Sequence, residues 1–175
     1  SHVHPYHNTV RNLERITLSL RVVELVNALM EEEQFNASVF NLLVQVLDCV
    51  NSAEERIHNL LPYFQLRLAS ILGFAPHLDR DEIRSLPEEG GMLLLGTGSV
   101  VEHAGYTGAW RRASRAALRA FAILARADLE LVMRMNMNPD VRTEVDQLVE
   151  DYLRHHLEEA YPSRGAKVIR QITAE

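Results

Sequence analysis

Residues 62–79 read PYFQLRLASILGFAPHLD, and they divide the chain. Up to Leu72 the apolar side chains recur every three or four positions, the spacing of a helix with a buried face. Gly73 is a natural left-handed stop for that helix, and Pro76 prevents an early restart. Pro62 sits inside the same segment and removes a backbone donor, so a kink or break is expected there.

Upstream the pattern is helical throughout. Leu13, Ile16, Leu20, Val23, Val26 and Met30 predict one apolar face on a first helix over about 9–32, ending in the acid run Glu31-Glu32-Glu33. Asn36 is placed to cap a second helix that buries Val39, Phe40, Leu43, Val44, Leu47 and Val50. Ser52 and Glu55 have capping-box spacing for the third.

Downstream the period breaks. Over 74–106 the prolines Pro76 and Pro87 and five glycines interrupt it. Met92–Leu95 and Ser99–Val101 flank Gly96-Thr97-Gly98, which predicts a small β-hairpin insert near 90–102. A long helical stretch is expected from Thr107 to about Arg134, interrupted near Asp128. Asn138-Pro139-Asp140 is a strong start for another helix, which runs to about Glu159 with Val141, Val145, Leu148, Val149, Tyr152, Leu153 and Leu157 inward. Ser163 can cap a last short helix. The fold expected is all-α, about six helices, with that one small β insert.

The bulk numbers fit a soluble globular chain of 175 residues, 47% hydrophobic and 24% charged. A formal charge of −6 argues against broad coating of nucleic acid. One cysteine, Cys49, makes no internal disulfide and fits a reducing cytoplasm. No apolar run approaches membrane-spanning length. Residues 1–8 read as a disordered leader or tag remnant, with the helical domain over 9–175.

Four stretches in order carry a resemblance: FNASVFNLLVQVLDCV (35–50), PYFQLRLASILGFAPHLD (62–79), GGMLLL (90–95) and LVEDYLRHHLEEAYPSRGAKVIRQI (148–172). Together they resemble the C-terminal helical domain of the RecO recombination-repair proteins. The strongest piece is Phe64, Leu68, Leu72, Gly73, Pro76 and Leu78, followed by Tyr152-Leu153 and then Ser163-Arg164. The resemblance implies a non-catalytic mediator that docks RecR and the acidic, apolar-ended tail of single-strand binding protein (SSB), supports RecA loading and anneals strands. It also implies an N-terminal OB-fold that holds single-stranded DNA, which nothing here matches. Many family members bind zinc through two CxxC pairs around the insert. Those positions fall near Asp81 and Arg84 and near Leu94 and Thr97, none of them cysteine, so the insert at about 76–106 reads as a degenerate, zinc-free ribbon with no cofactor.

The candidate binding residues are basic. RRASRAALRAFAILAR (111–126) holds five arginines and no acid. Arg112, Arg115, Arg119 and Arg126 fall on one face of a helix, with Arg111 flanking. Guanidinium groups there would fork onto the carboxylates of an acidic peptide or onto phosphates. Equally, residues 139–159 carry seven acids against two arginines, so the two segments could simply pack with complementary rims. A second basic patch is Arg164, Lys167 and Arg170. Trp110 is expected as a core anchor, with base stacking as its functional reading. His155 and His156 are adjacent, point to different faces and cannot chelate together. The rival functions are a helical adaptor or dimerisation module without a repair role, and a metal-dependent enzyme using the Asp79, Asp81 and Glu82 cluster.

Overall fold

Polar side chains set most of the helix starts. The computed structural model describes residues 5–30, 36–103, 105, 107–160, 170, 171 and 173, with side chains from residue 9 onward. In chain order it contains α1 (Pro5–Met30), α2 (Ala37–Ser52), a 3-10 turn (Ile57–Asn59), α3 (Leu60–Ile71), α4 (Arg80–Ser85), β1 (Gly91–Leu94), β2 (Val100–Val101), β3 (Trp110–Ala113), α5 (Arg115–Arg126), α6 (Leu129–Arg134) and α7 (Pro139–Ala160). Asn36 caps α2 as expected, accepting from the amides of Ser38 and Val39. Asp79 caps α4, Ser114 caps α5 and Asp128 caps α6. Asn138 accepts from Val141 N–H at the start of α7, where Pro139 takes the first helical position and loses no bond.

One expected start moves. Ser52 is the last residue of α2, its Oγ bonded to Asp48 O at 3.0 Å, and it caps nothing downstream. The chain instead turns through Arg56, which holds the left-handed conformation at φ 57°. The break expected at Pro62 therefore lies before it. Pro62 is the third residue of α3, where a missing N–H costs no helical bond. α3 ends as the sequence indicates. Gly73, at φ 95°, donates to Ser70 O at 3.2 Å and Phe74 N–H donates to Ala69 O at 2.7 Å, the pair of bonds of a Schellman cap.

α3 is the central element. Between Leu60 and Ala69 only Leu61 and Arg67 are not fully buried, and the helix packs against α1, α2, α5, α6 and α7. Phe64, Phe121 and Tyr152 are the largest of the completely buried side chains. Asn59 is wholly buried just before α3. Its amide donates to Val132 O and Met135 O, both at 2.9 Å, and so satisfies carbonyls at the end of α6. The inward set expected on α7 is buried, with Val141 half-buried.

The faces of α1 and α2 differ from expectation. α1 buries Leu18, Val22, Leu25, Ala28 and Leu29, while Leu13, Ile16, Leu20 and Val23 point outward. α2 buries Val39, Leu42, Val46 and Val50, leaving Phe40 and Val44 exposed. Both helices are apolar on more than one side, so spacing alone did not select the side that the bundle covers.

The insert holds a three-stranded antiparallel sheet in the order β2-β1-β3, not a two-stranded hairpin. Met92 pairs with Val101 and Leu93 with Val100, while Leu93 also pairs with Arg111 and Leu94 with Trp110. Glycines close both ends. Gly98 (φ 74°) lies so near Pro76 that a Cβ would sit 2.5 Å from its Cα, and at Gly90 (φ 88°) a Cβ would sit 1.9 Å from Ala113 O. Among the described residues no helix is long and apolar enough to cross a membrane.

Candidate functional site

The arginine strip does not form a single helical face. Arg111 and Arg112 belong to β3, and α5 begins only at Arg115. The cause is Ser114, whose Oγ accepts from Ala117 N–H and starts the helix there. Backbone pairing with β1 then holds the residues before it extended.

Three of the five arginines have partners inside the fold. Arg111 Nη1 pairs with Asp151 Oδ2 at 2.6 Å, and Nη2 donates to Gln147 Oε1. Beside it, Glu144 of α7 accepts from both the amide and the hydroxyl of Ser114, at 2.7 and 2.9 Å. Arg115 donates to Leu86 O at 2.8 Å and lies 3.8 Å from Glu88. Arg126 donates to Leu78 O at 2.5 Å. Leu78 and Leu86 stand on either side of α4, so two arginines of α5 bracket that short helix. Arg112 and Arg119 are exposed, with no side-chain hydrogen bond or ion pair to another described residue. Trp110 is not a core anchor. It is 45% exposed at the start of β3, on the same strand face as Arg112. Arg164 and Lys167 lie outside the described residues, and Arg170 is exposed.

The acid cluster is structural where it can be followed. Asp79 Oδ1 accepts from the amides of Asp81 and Glu82 at 2.7 and 3.1 Å, and Asp81 pairs with Arg84 at 3.6 Å. Thr97 uses its Oγ1 to accept from Ser99 N–H. Among the described residues no group of three or more His, Cys, Asp or Glu is arranged to hold a metal ion. Cys49 is half-buried, and burial pushes its thiol up, away from the reactive thiolate.

His155 and His156 have rings 5.3 Å apart and nearly perpendicular. His156 stacks on Phe74 and leans on Tyr152, whose hydroxyl donates to Phe74 O at 2.5 Å. Burial pushes Tyr152 up to about 12. It lowers His156, against a hydrogen bond with the Leu95 backbone that works the other way. This cluster ties α7 to the loop after α3.

Two grooves lie away from the arginine strip. One, of about 530 Å³, runs between α2 and α3 over Leu42, Tyr63 and Ile71. Arg67, the one cation among its described lining residues, sits 5.2 Å over the Tyr63 ring and also donates to Ala127 O. The other, of about 410 Å³, lies where α1, α3 and α7 meet. Val10, Leu13, Leu18, Ile57, Leu61 and Pro62 give it an apolar lining, and Arg21, Arg142 and His58 stand at it with Glu14 and Asp146. Loss of water raises the Asp146 carboxyl, which Arg142 and then Arg21 pull back down. Desolvation lowers His58, and Arg142 lowers it further. Periodicity could not have found this groove, because its residues come from three separate elements.

The match to known proteins agrees with this architecture. A family profile described as "Recombination protein O C terminal" matches residues 10–165. The chain belongs to the RecO family. The DNA repair protein RecO of Salinibacter ruber is 49% identical over 172 residues, covering 98% of this chain and 66% of that protein. The RecO of Chlorobium limicola is 27% identical over 176 residues, and that of a Roseiflexus species 31% over 157. This RecO-family chain thus spans about two thirds of the Salinibacter relative's length, and 53% of the Roseiflexus one. No solved structure matches it.

Proposed function

We propose that this chain is the partner-docking domain of a recombinational repair mediator, and that it docks by capturing an acidic, apolar-ended peptide of the kind that ends SSB. The observation that carries this is the α1–α3–α7 groove. Its lining accepts an aromatic or aliphatic end, and Arg21 and Arg142 stand where guanidinium groups can fork onto carboxylates. Docking of RecR, support of RecA loading and strand annealing are then tasks of the whole protein, with single-stranded DNA held mainly by an OB-fold outside this chain. The domain works without a catalytic centre or a cofactor.

The test is a fluorescence-anisotropy titration with an acidic, phenylalanine-ended peptide. Arg142→Glu is expected to weaken binding at least tenfold, about 1.4 kcal/mol. The pair Arg112→Glu and Arg119→Glu is expected to leave it within about twofold, because a rim charge far from the groove acts mainly through screened attraction. The reverse result would move docking to β3 and α5. No binding by the native chain sinks the proposal. The metal-enzyme reading is disfavoured because one carboxylate oxygen of Asp79 caps the α4 amides and Asp81 pairs with Arg84. Marked thermal stabilisation by a divalent cation would revive it.

A further inference from the structure

α1 is apolar on two sides. Leu18, Val22, Leu25 and Leu29 enter the core, while Leu13, Ile16 and Leu20 are each more than half exposed and Val10 and Val23 follow them on the outer side. The outer residues are not scattered. Leu13, Ile16, Leu20, Val23 and Asn27 alternate in steps of three and four, the seven-residue spacing of a two-helix seam.

The chemistry of the seam favours a second copy. Turning one α1 over against another about a two-fold axis sets Leu13 opposite Val23, Leu20 opposite Ile16 and Asn27 opposite Thr9. Apolar thus meets apolar, and polar meets polar, on both sides of the axis. The flanking positions nearest that axis, Thr17 and Ser19, are small and uncharged, as is Asn12. Glu24 is the single charge along the seam, and it falls opposite Val10 of the copy. No like charges oppose, although the chain as a whole carries −6. The five apolar side chains expose on the order of 400 Å² per copy, the size of patch that is functional on monomers. Two copies would bury less than the roughly 1,200 Å² of a permanent complex.

We infer that this chain forms a reversible two-fold dimer through the outer face of α1. Asn27 is the polar seam residue that fixes the pairing and weakens it. The seam shares Val10, Leu13 and Thr17 with the edge of the docking groove, while Ile16, Leu20, Val23 and Asn27 lie outside it, so variants at Ile16, Leu20 and Asn27 test the dimer without altering the groove lining.

Sedimentation equilibrium of the native chain over a wide concentration series tests this. The mass should rise from that of one chain to that of two. Ile16→Glu with Leu20→Glu, both on exposed positions, should weaken association more than about a hundredfold, with the far-ultraviolet spectrum of the monomer unchanged. Asn27→Leu should tighten it about tenfold, a gain that no folding defect can imitate. A chain that is monomeric at every concentration, Asn27→Leu included, overturns the dimer and leaves the seam to a different partner. A dimer that ignores both variants overturns it as well.

Discussion

α1 and α5 are built from similar spacing and end up in opposite situations. In α5 the apolar residues Ala117, Leu118, Ala120, Phe121, Leu124 and Ala125 lie to one side, and all are buried. Arg115, Arg119 and Arg126 share the remainder with Ala116, Ala122 and Ile123, so the outer side is polar enough that the helix has one way to sit. α1 offers two apolar stripes, and the bundle uses the one through Leu18, Val22 and Leu25. The contrast teaches that amphipathic spacing orients a helix only when the opposite side is polar. Where both sides are apolar, the partner decides.

The comparison can be broken at several strengths. Phe121→Ala, on the buried stripe of α5, should cost about 3–5 kcal/mol in denaturant unfolding, because it leaves a cavity beside Tyr152, whose ring packs edge-on at 5.9 Å. A cost under about 1 kcal/mol would mean that α5 is not held as described. Arg126→Ala should cost about 1 kcal/mol by removing a charged donor from Leu78 O, while Arg119→Ala should stay within about 0.5 kcal/mol. Equal effects would erase the division between anchored and outward arginines. Smallest of all, Leu20→Ala at a concentration that keeps the chain monomeric should change stability by no more than about 0.5 kcal/mol. A core-sized loss there would put the outer stripe of α1 inside.

Much of the fold was legible. Asn36, Gly73, Asn138 and Pro139 each announced a boundary by a mechanism confined to a few neighbouring residues, and each boundary stands. The turn at Gly96-Thr97-Gly98 was equally local. What failed depended on distant partners. β3 is a strand because β1 lies beside it, and four residues reading Trp-Arg-Arg-Ala carry no alternation of their own. Ser114 did hold the missing signal, a cap in the middle of an apparently continuous helix. Ser52 gave a false one, since its hydroxyl turned back to Asp48 within the preceding helix. The arginine cluster was visible as composition, but composition could not say that Arg115 and Arg126 would spend themselves on backbone carbonyls around α4. The α1–α3–α7 groove could not be read at all before the helices were assembled.

The glycines at the two mouths of the sheet set a lasting condition on this excursion. Gly98 is pressed against Pro76 and Gly90 against the backbone at Ala113, both in a conformation that side chains resist. Descendants of this sequence can vary the outer surface of the excursion freely, yet at these two points inheritance is tied to the one residue that brings nothing beyond its backbone.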